Sequence, residues 1–247
     1  MNETFIGQID VSGSRKKAYI KVVPGKQLIN EMVATTVGRS LGFRIPQGYL
    51  LNVRPDDLPE SFLLKEHNEE ALIYGSHALD HPTLAKRLRS VPDSSSTDWL
   101  RATFKNWEEA VIFDDWIANG DRHFGNLLLS SDGVWLIDHS HCFTGPDWGV
   151  EHLRPPEIHG NILADVFIPP LKLGERIALK NKADELSAII MSLDIDAAMS
   201  ACFADRLLPV NEHVALNRFL RERVDYILNI ISQRVGIPLL KSSKCAS

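Results

Sequence analysis

The sequence predicts an α+β fold of two lobes, a small β-rich lobe over residues 1–79 and a mostly helical lobe over residues 80–247. Three observations point to it. Short alternating or apolar runs bounded by turn residues crowd the first third of the chain, helical periodicity takes over past Leu79, and one β-hairpin at 127–137 interrupts the helices.

Phe5 to Val11 and Ala18 to Val23 read as strands joined by Ser12-Gly13-Ser14-Arg15-Lys16-Lys17, a small, polar and cationic loop. Pro24 and Gly25 end the second strand, and Ile29, Met32, Val33, Thr36, Val37 and Leu41 then recur at helical spacing until Gly42 supplies a stop. Gly48 to Val53 and Ala71 to Tyr74 are further strands, separated by a turn at Asp56-Asp57-Leu58-Pro59. Helix begins at Thr83 to Leu88 and is broken by the polar stretch Ser90 to Ser96. One long helix is expected from Asp98 to Ala118, since Leu100, Phe104, Trp107 and Val111 share a face. Strands at Leu127–Leu129 and Trp135–Ile137 flank a Ser131-Asp132-Gly133 turn. Residues 140–156 are rich in Gly, Pro and aromatics without periodicity, and helices follow at 176–192, 194–204 and 211–234.

With 247 residues and 44% hydrophobic composition, the chain can bury a large core. Its formal net charge of -5, with both signs interspersed, gives no reason to expect nucleic acid or an anionic membrane as partner. Cys142, Cys202 and Cys245 form no C-x-x-C pair, which suits neither a disulfide framework nor a zinc knuckle. The N-terminus lacks a signal-peptide pattern and no window approaches the ~20 apolar residues of a membrane span, so a cytoplasmic protein is expected.

The densest polar cluster is Asn119-Gly120-Asp121-Arg122-His123-Phe124-Gly125-Asn126, followed twelve residues later by Asp138. Phosphoryl transfer needs such a set. One carboxylate takes the proton of the attacking hydroxyl, while an Asn oxygen and a second carboxylate hold Mg2+ ions against the triphosphate of ATP. Asp121 is the expected base, Asn126 and Asp138 the expected metal ligands, and the hairpin brings Asp138 back beside Asn126. His123 fits either a place beside the phosphate or a brace for the loop. Any one of these residues alone could be an ordinary turn former. Lys21 lies within an apolar strand and calls for an anionic partner; Glu31 on the following helix is the expected one, a pair that positions triphosphate. The Ser12 to Lys17 loop offers backbone N–H groups and cations to phosphate, naming Ser12, Gly13, Ser14 and Lys16 as nucleotide contacts. His139, His141 and Cys142 crowd Asp138, but adjacent residues of a strand point to opposite faces and do not meet on one ion.

Asp121-x-His123-x-x-Asn126 followed by Ile137-Asp138-His139, and preceded by Asp115-Trp116-Ile117-Ala118-Asn119, resembles the HipA-like kinases and, more distantly, the phosphatidylinositol 3/4-kinases. Tyr19-Ile20-Lys21, Asn30-Glu31 and Leu41-Gly42-Phe43-Arg44-Ile45-Pro46 resemble the N-lobe of the shorter HipA-like domains, and Tyr74-Gly75-Ser76-His77 the segment that enters their hinge. The resemblance covers residues 5–145 and implies a protein-kinase-like bilobal fold with ATP between the lobes, Ser76, His77 and Ala78 at the nucleotide, and Lys21 on its phosphates. It also implies serine/threonine kinase activity on a protein acceptor, autophosphorylation at Ser12 or Ser14, and an antitoxin-like or regulatory protein partner. The chain departs from ordinary protein kinases at Asp138-His139-Ser140, where they carry Phe-Gly after the aspartate.

Two other readings share these residues: a lipid or small-molecule kinase of the phosphatidylinositol-kinase type, and an ATP-binding pseudokinase that serves as an interaction module. Against the first, residues 139–157 hold a single Arg, Arg154, and no Lys, too little for an anionic lipid surface. A two-metal phosphoesterase would need an N-terminal Asp-x-His and a late Gly-His-x-His, which the sequence lacks.

Overall fold

A computed structural model describes residues 4–58, 71–90 and 97–239. Strands β1 (Thr4–Val11), β2 (Ser14–Lys21), β3 (Gly48–Val53) and β4 (Ala71–His77) form one antiparallel sheet in the order β1-β2-β4-β3. The turn between β1 and β2 is tighter than the sequence suggests. Val11 pairs directly with Ser14, leaving only Ser12 and Gly13, whose φ values of 53° and 80° are the left-handed pair of a two-residue hairpin. Arg15, Lys16 and Lys17 are strand residues, alternating across the sheet. Ala18 and Ile20 therefore pack with Ile9, Leu58 and Ile73 on the outer face, while Tyr19 and Lys21 face the other lobe. β4 runs three residues past Tyr74, to His77. Pro59 and residues 91–96 of the expected turn and polar loop lie outside the described residues.

Helix α1 (Gly25–Ser40) follows Pro24 and stops where Gly42, at φ 83°, and Phe43 turn their N–H groups back to Arg39 and Gly38. Met32, Val33 and Val37 join the same apolar cluster as Phe113, Trp116 and Leu220, so α1 is cored into the second lobe as well as the first. That dual membership makes it the rigid link between sheet and helices.

The second lobe opens with α2 (Leu84–Ser90). The long helix expected from 98 to 118 is two, α3 (Thr97–Thr103) and α4 (Trp107–Trp116). The break at 104–106 has a packing reason: it lets Phe104 and Trp107 both meet Phe167, with ring centroids 6.2 and 5.0 Å apart. The hairpin of β5 (Leu127–Ser130) and β6 (Gly133–Leu136) follows the polar cluster. Residues 140–156 contain one short 3-10 turn, Val150–His152, and the helix α5 (Ile162–Phe167) carries no periodic signal long enough to read. Then come α6 (Leu173–Met191), α7 (Ile195–Ala201), α8 (Ala204–Leu207) and α9 (Val210–Val235), the stretch expected at 194–204 being split by Phe203 at φ 61°. No helix among the described residues is long and apolar enough to cross a membrane.

Charge is buried to tie these helices. Asp115 on α4 is 2% exposed, and its carboxylate takes a two-pronged bond from Arg234 of α9 at 2.8 and 2.6 Å. Burial alone would push the Asp115 carboxyl up, and the Arg234 guanidinium opposes it. Arg234→Met strands that carboxylate, and urea unfolding should show a loss of about 3–5 kcal/mol. A loss below about 1 kcal/mol, the worth of an exposed pair, would mean that the pair is not a buried tie.

Candidate active site

The cleft between sheet and helices is about 290 Å3, and Tyr19, Lys21, Tyr74, Ser76 and His77 from the first lobe face His81, Asn126, Leu128, Leu136 and Asp138 from the second. Its centre is an ammonium between two carboxylates. Lys21 Nζ lies 2.8 Å from Glu31 Oε1 and 3.0 Å from Asp138 Oδ1. Burial works against the Lys21 charge, but Glu31 and Asp138 outweigh it and hold its pKa above the ordinary value. Glu31 is fully buried; the Lys21 charge overcomes the burial penalty and keeps its carboxyl far below the usual range. The second oxygen of Glu31 accepts the backbone N–H of His139 at 3.0 Å. One buried carboxylate thus fixes both the lysine and the residue next to Asp138.

Asp138 itself has φ 59°, a left-handed turn that costs a non-glycine residue energy and aims its carboxylate into the cleft. Arg122 secures this bend. Its guanidinium is completely buried, pairs with both oxygens of Asp114 on α4 at 3.2 and 3.1 Å, and donates through NH1 to the carbonyls of Ile137 and Asp138. Asn119 is held by the same Asp114 and takes the Asp121 N–H at 3.2 Å. Asn126 donates to the Asp121 carbonyl at 2.9 Å, which leaves its amide oxygen as the group free for a cation. Asp121, Asn126 and Asp138 are therefore braced by one hydrogen-bonded frame. The Asp121 carboxylate is nearly half exposed, with His141 Nδ1 at 3.9 Å from it.

His123 does not turn toward this centre: its Nδ1 accepts the Gly125 N–H at 3.0 Å and caps the turn Phe124–Asn126. A side chain at 125 would meet the His123 ring at 2.7 Å and displace it from this cap. This contact fits the loop-bracing reading of His123.

Two expectations need correction. The Ser12–Gly13 turn stands at the far end of β2 from Lys21, roughly 23 Å away at strand rise, because seven residue steps separate Ser14 from Lys21. It lies at the hinge end, where Lys17 pairs with Asp80; Lys16 stands over the Tyr49 ring instead of in the cleft. Ser12, Gly13, Ser14 and Lys16 are thereby removed from the phosphate end, and transfer to Ser12 or Ser14 within one molecule is out of reach. The residue that does pair with Lys21 across β1 is Thr4, which lines the cleft. Ser76 and His77 line the cleft too, but Ala78 does not, since its N–H is spent on the Lys17 carbonyl at 3.0 Å.

Asn30 and Asp114 were legible only in part: each is a polar residue inside an apolar helical run, which is a signal of a buried role. Among the described residues no group of three His, Cys, Asp or Glu side chains is placed to hold a metal ion. Asn126 and Asp138 could instead offer two oxygen donors to an Mg2+ ion, whose other ligands would come from phosphate and water.

The Lys21–Glu31 pair sets a pH signature. A carboxyl held low in the fold stabilises above its ordinary value of 4.5 and loses that contribution as pH falls below it; a raised Lys21 stabilises below 10.5 and loses its contribution above it. Lys21→Met leaves Glu31 buried and unpaired, at a cost of about 3–5 kcal/mol near neutrality. The gap to wild type should narrow as pH falls through 4.5, because burial has already protonated the unpaired Glu31 of the variant at higher pH while the wild type now loses the contribution of its pair. Denaturation midpoints at both pH values check this, and a gap independent of pH would refute it.

The fold agrees with what the chain is similar to. A crystallised proinflammatory kinase from Helicobacter pylori, CtkA, superposes with a TM-score of 0.54 at 14% identity, covering 95% of this chain and 92% of that one. No curated relative matches the sequence. The model of the HipA-like kinase family matches residues 16–152, a span that contains Lys21, Glu31, Asp121, Asn126 and Asp138. This chain belongs to the HipA-like kinase family.

Proposed function

We propose that the protein transfers the γ-phosphoryl group of ATP, with Mg2+, to a serine or threonine hydroxyl of a protein acceptor. The observation that carries this reading is Lys21 Nζ held between Glu31 and Asp138 in a cleft that Asn126 also lines, with Asp121 tied to Asn126 through its carbonyl. Lys21 would bind the phosphates; Asn126 and Asp138 would hold the metal, which when bound neutralises charge on the triphosphate. The Tyr19, Leu128 and Leu136 walls suit a flat apolar base, with Ser76 and His77 at its edge. The half-exposed Asp121 carboxylate is open to an incoming hydroxyl and takes its proton as the new O–P bond forms and the bond to the β-phosphate oxygen breaks, releasing ADP.

A second hollow of about 490 Å3 supports a protein acceptor. Its walls include Asp147, Trp148, Glu151, Arg154, Glu157 and His159. It adjoins the catalytic loop, because Thr144 N–H bonds the Ala118 carbonyl and Gly160 O lies 3.7 Å from where a Gly120 side chain would start. Mixed charge fits a peptide segment better than a lipid headgroup. Cys142 and Cys202 are free and buried, in keeping with a reducing cytoplasm.

Incubation with Mg2+, labelled ATP and cell lysate should give protein-bound label that survives acid and is released by alkali, as phosphoserine and, more slowly, phosphothreonine behave. Asp121→Ala and Asp138→Ala should each slow labelling by about 10²-fold or more. Equal labelling by Asp121→Ala would sink the assignment.

A further inference from the structure

Asn30, one residue before Glu31 on α1, is completely buried and spends its whole amide on the segment after Asp138. Its Nδ2 donates to the carbonyls of Ser140, Cys142 and Gly145 at 2.8, 3.0 and 3.1 Å, and its Oδ1 accepts Trp148 Nε1 at 2.8 Å. Three carbonyls around one NH2 group mean that the chain is wrapped about this side chain. Trp148 is held from its ring face as well, by Lys26 Nζ at 3.9 Å, and Lys26 pairs with Glu212 of α9. The wrapped segment leads back to the cleft: Ser140 Oγ donates to Asp138 Oδ1 at 2.8 Å. It leads outward too, since Gly145 and Trp148 are walls of the 490 Å3 hollow.

We infer that Asn30 is a positioning residue for phosphoryl transfer, fixing residues 140–148 so that Asp138 keeps its metal-binding aim and the acceptor hollow keeps its wall. This rests on the Mg2+-dependent reaction proposed above. Glu31 and Asn30 divide the work: the carboxylate holds the His139 N–H, and the amide holds the following carbonyls. The order that some kinases obtain from a phosphorylated residue comes here from an uncharged side chain on α1.

The test measures ATP affinity of the full chain with and without Mg2+, together with amide hydrogen exchange over 140–148. Asn30→Asp keeps the shape and the acceptor for Trp148 but loses both N–H donors. It should lose about tenfold or more of the Mg2+-dependent gain in ATP affinity, as outer-shell partners of metal ligands do, with metal-free affinity unchanged and faster exchange over 140–148. Asn30→Ala should do the same. Asn161→Ala, which removes another buried amide bonded to Val111 O and Ala164 N, should lower thermal stability yet keep the Mg2+ gain. Folded Asn30 variants that keep the gain, or lose it only as much as Asn161→Ala does, overturn the inference. Should neither Asn30 variant fold, the wild type still decides: exchange over 140–148 as fast as in an unstructured chain overturns it, and protection matching α1 in unphosphorylated protein supports it. If wild type labels no acceptor, the proposed reaction fails while the Mg2+ titration still reads Asn30.

Discussion

A single buried carboxylate organises the cleft. Glu31 has no water to share its charge, so its burial is tolerable only with a cation and a donor in place. Lys21 supplies the first from the sheet and the His139 N–H the second from the loop after Asp138. Removing either partner leaves a charge in the core, which costs more than an exposed pair could gain. Sheet, helix α1 and the loop after Asp138 are therefore held in one geometry by a requirement of solvation. His139 shows the other side of this constraint: burial and the nearby Arg122 charge hold its pKa down, so a neutral ring fills the space against Phe113.

The second lobe repeats the device with the signs exchanged. Arg122 is a buried cation, and Asp114 overcomes the burial penalty that its charge would otherwise incur. Its remaining donor reaches the carbonyls of Ile137 and Asp138, so the residue next to Asp121 fixes the backbone that carries Asp138. The Asp121–Asn126 loop and the turn at Asp138 cannot drift independently while that guanidinium is satisfied. This explains how Asp138 sustains a left-handed backbone without glycine: the surroundings over-determine it.

The sequence conveyed the parts that depend on local pattern. Alternation in Ala18–Val23 places Lys21 on the cleft face, helical spacing yields α1, and the 127–137 hairpin returns Asp138 to Asn126. It conveyed poorly whatever depends on register and packing. The cationic run 14–17 looks like a phosphate loop until its pairing with β1 shows that it is strand, directed away from Lys21. The α3–α4 break is invisible to periodicity because Leu100, Phe104, Trp107 and Val111 are all buried on either side of it. Asn30 and Asp114 sit in plain view but their partners are 110 and 8 residues away, and only the fold brings them together.

The loss of Phe-Gly after Asp138 follows from the same frame. Glycine at that place would permit a flexible peptide, whereas here Ser140 bonds Asp138 through its hydroxyl and gives its carbonyl to Asn30. A peptide held at both ends gains nothing from extra backbone freedom and would lose entropy by having it. Adjacent residues of α1 thus restrain adjacent residues of the loop after Asp138, Glu31 taking His139 and Asn30 taking Ser140, so that the two segments behave as a single unit. His139 and Ser140, standing where ordinary protein kinases carry Phe-Gly, tie the backbone beside Asp138 to α1.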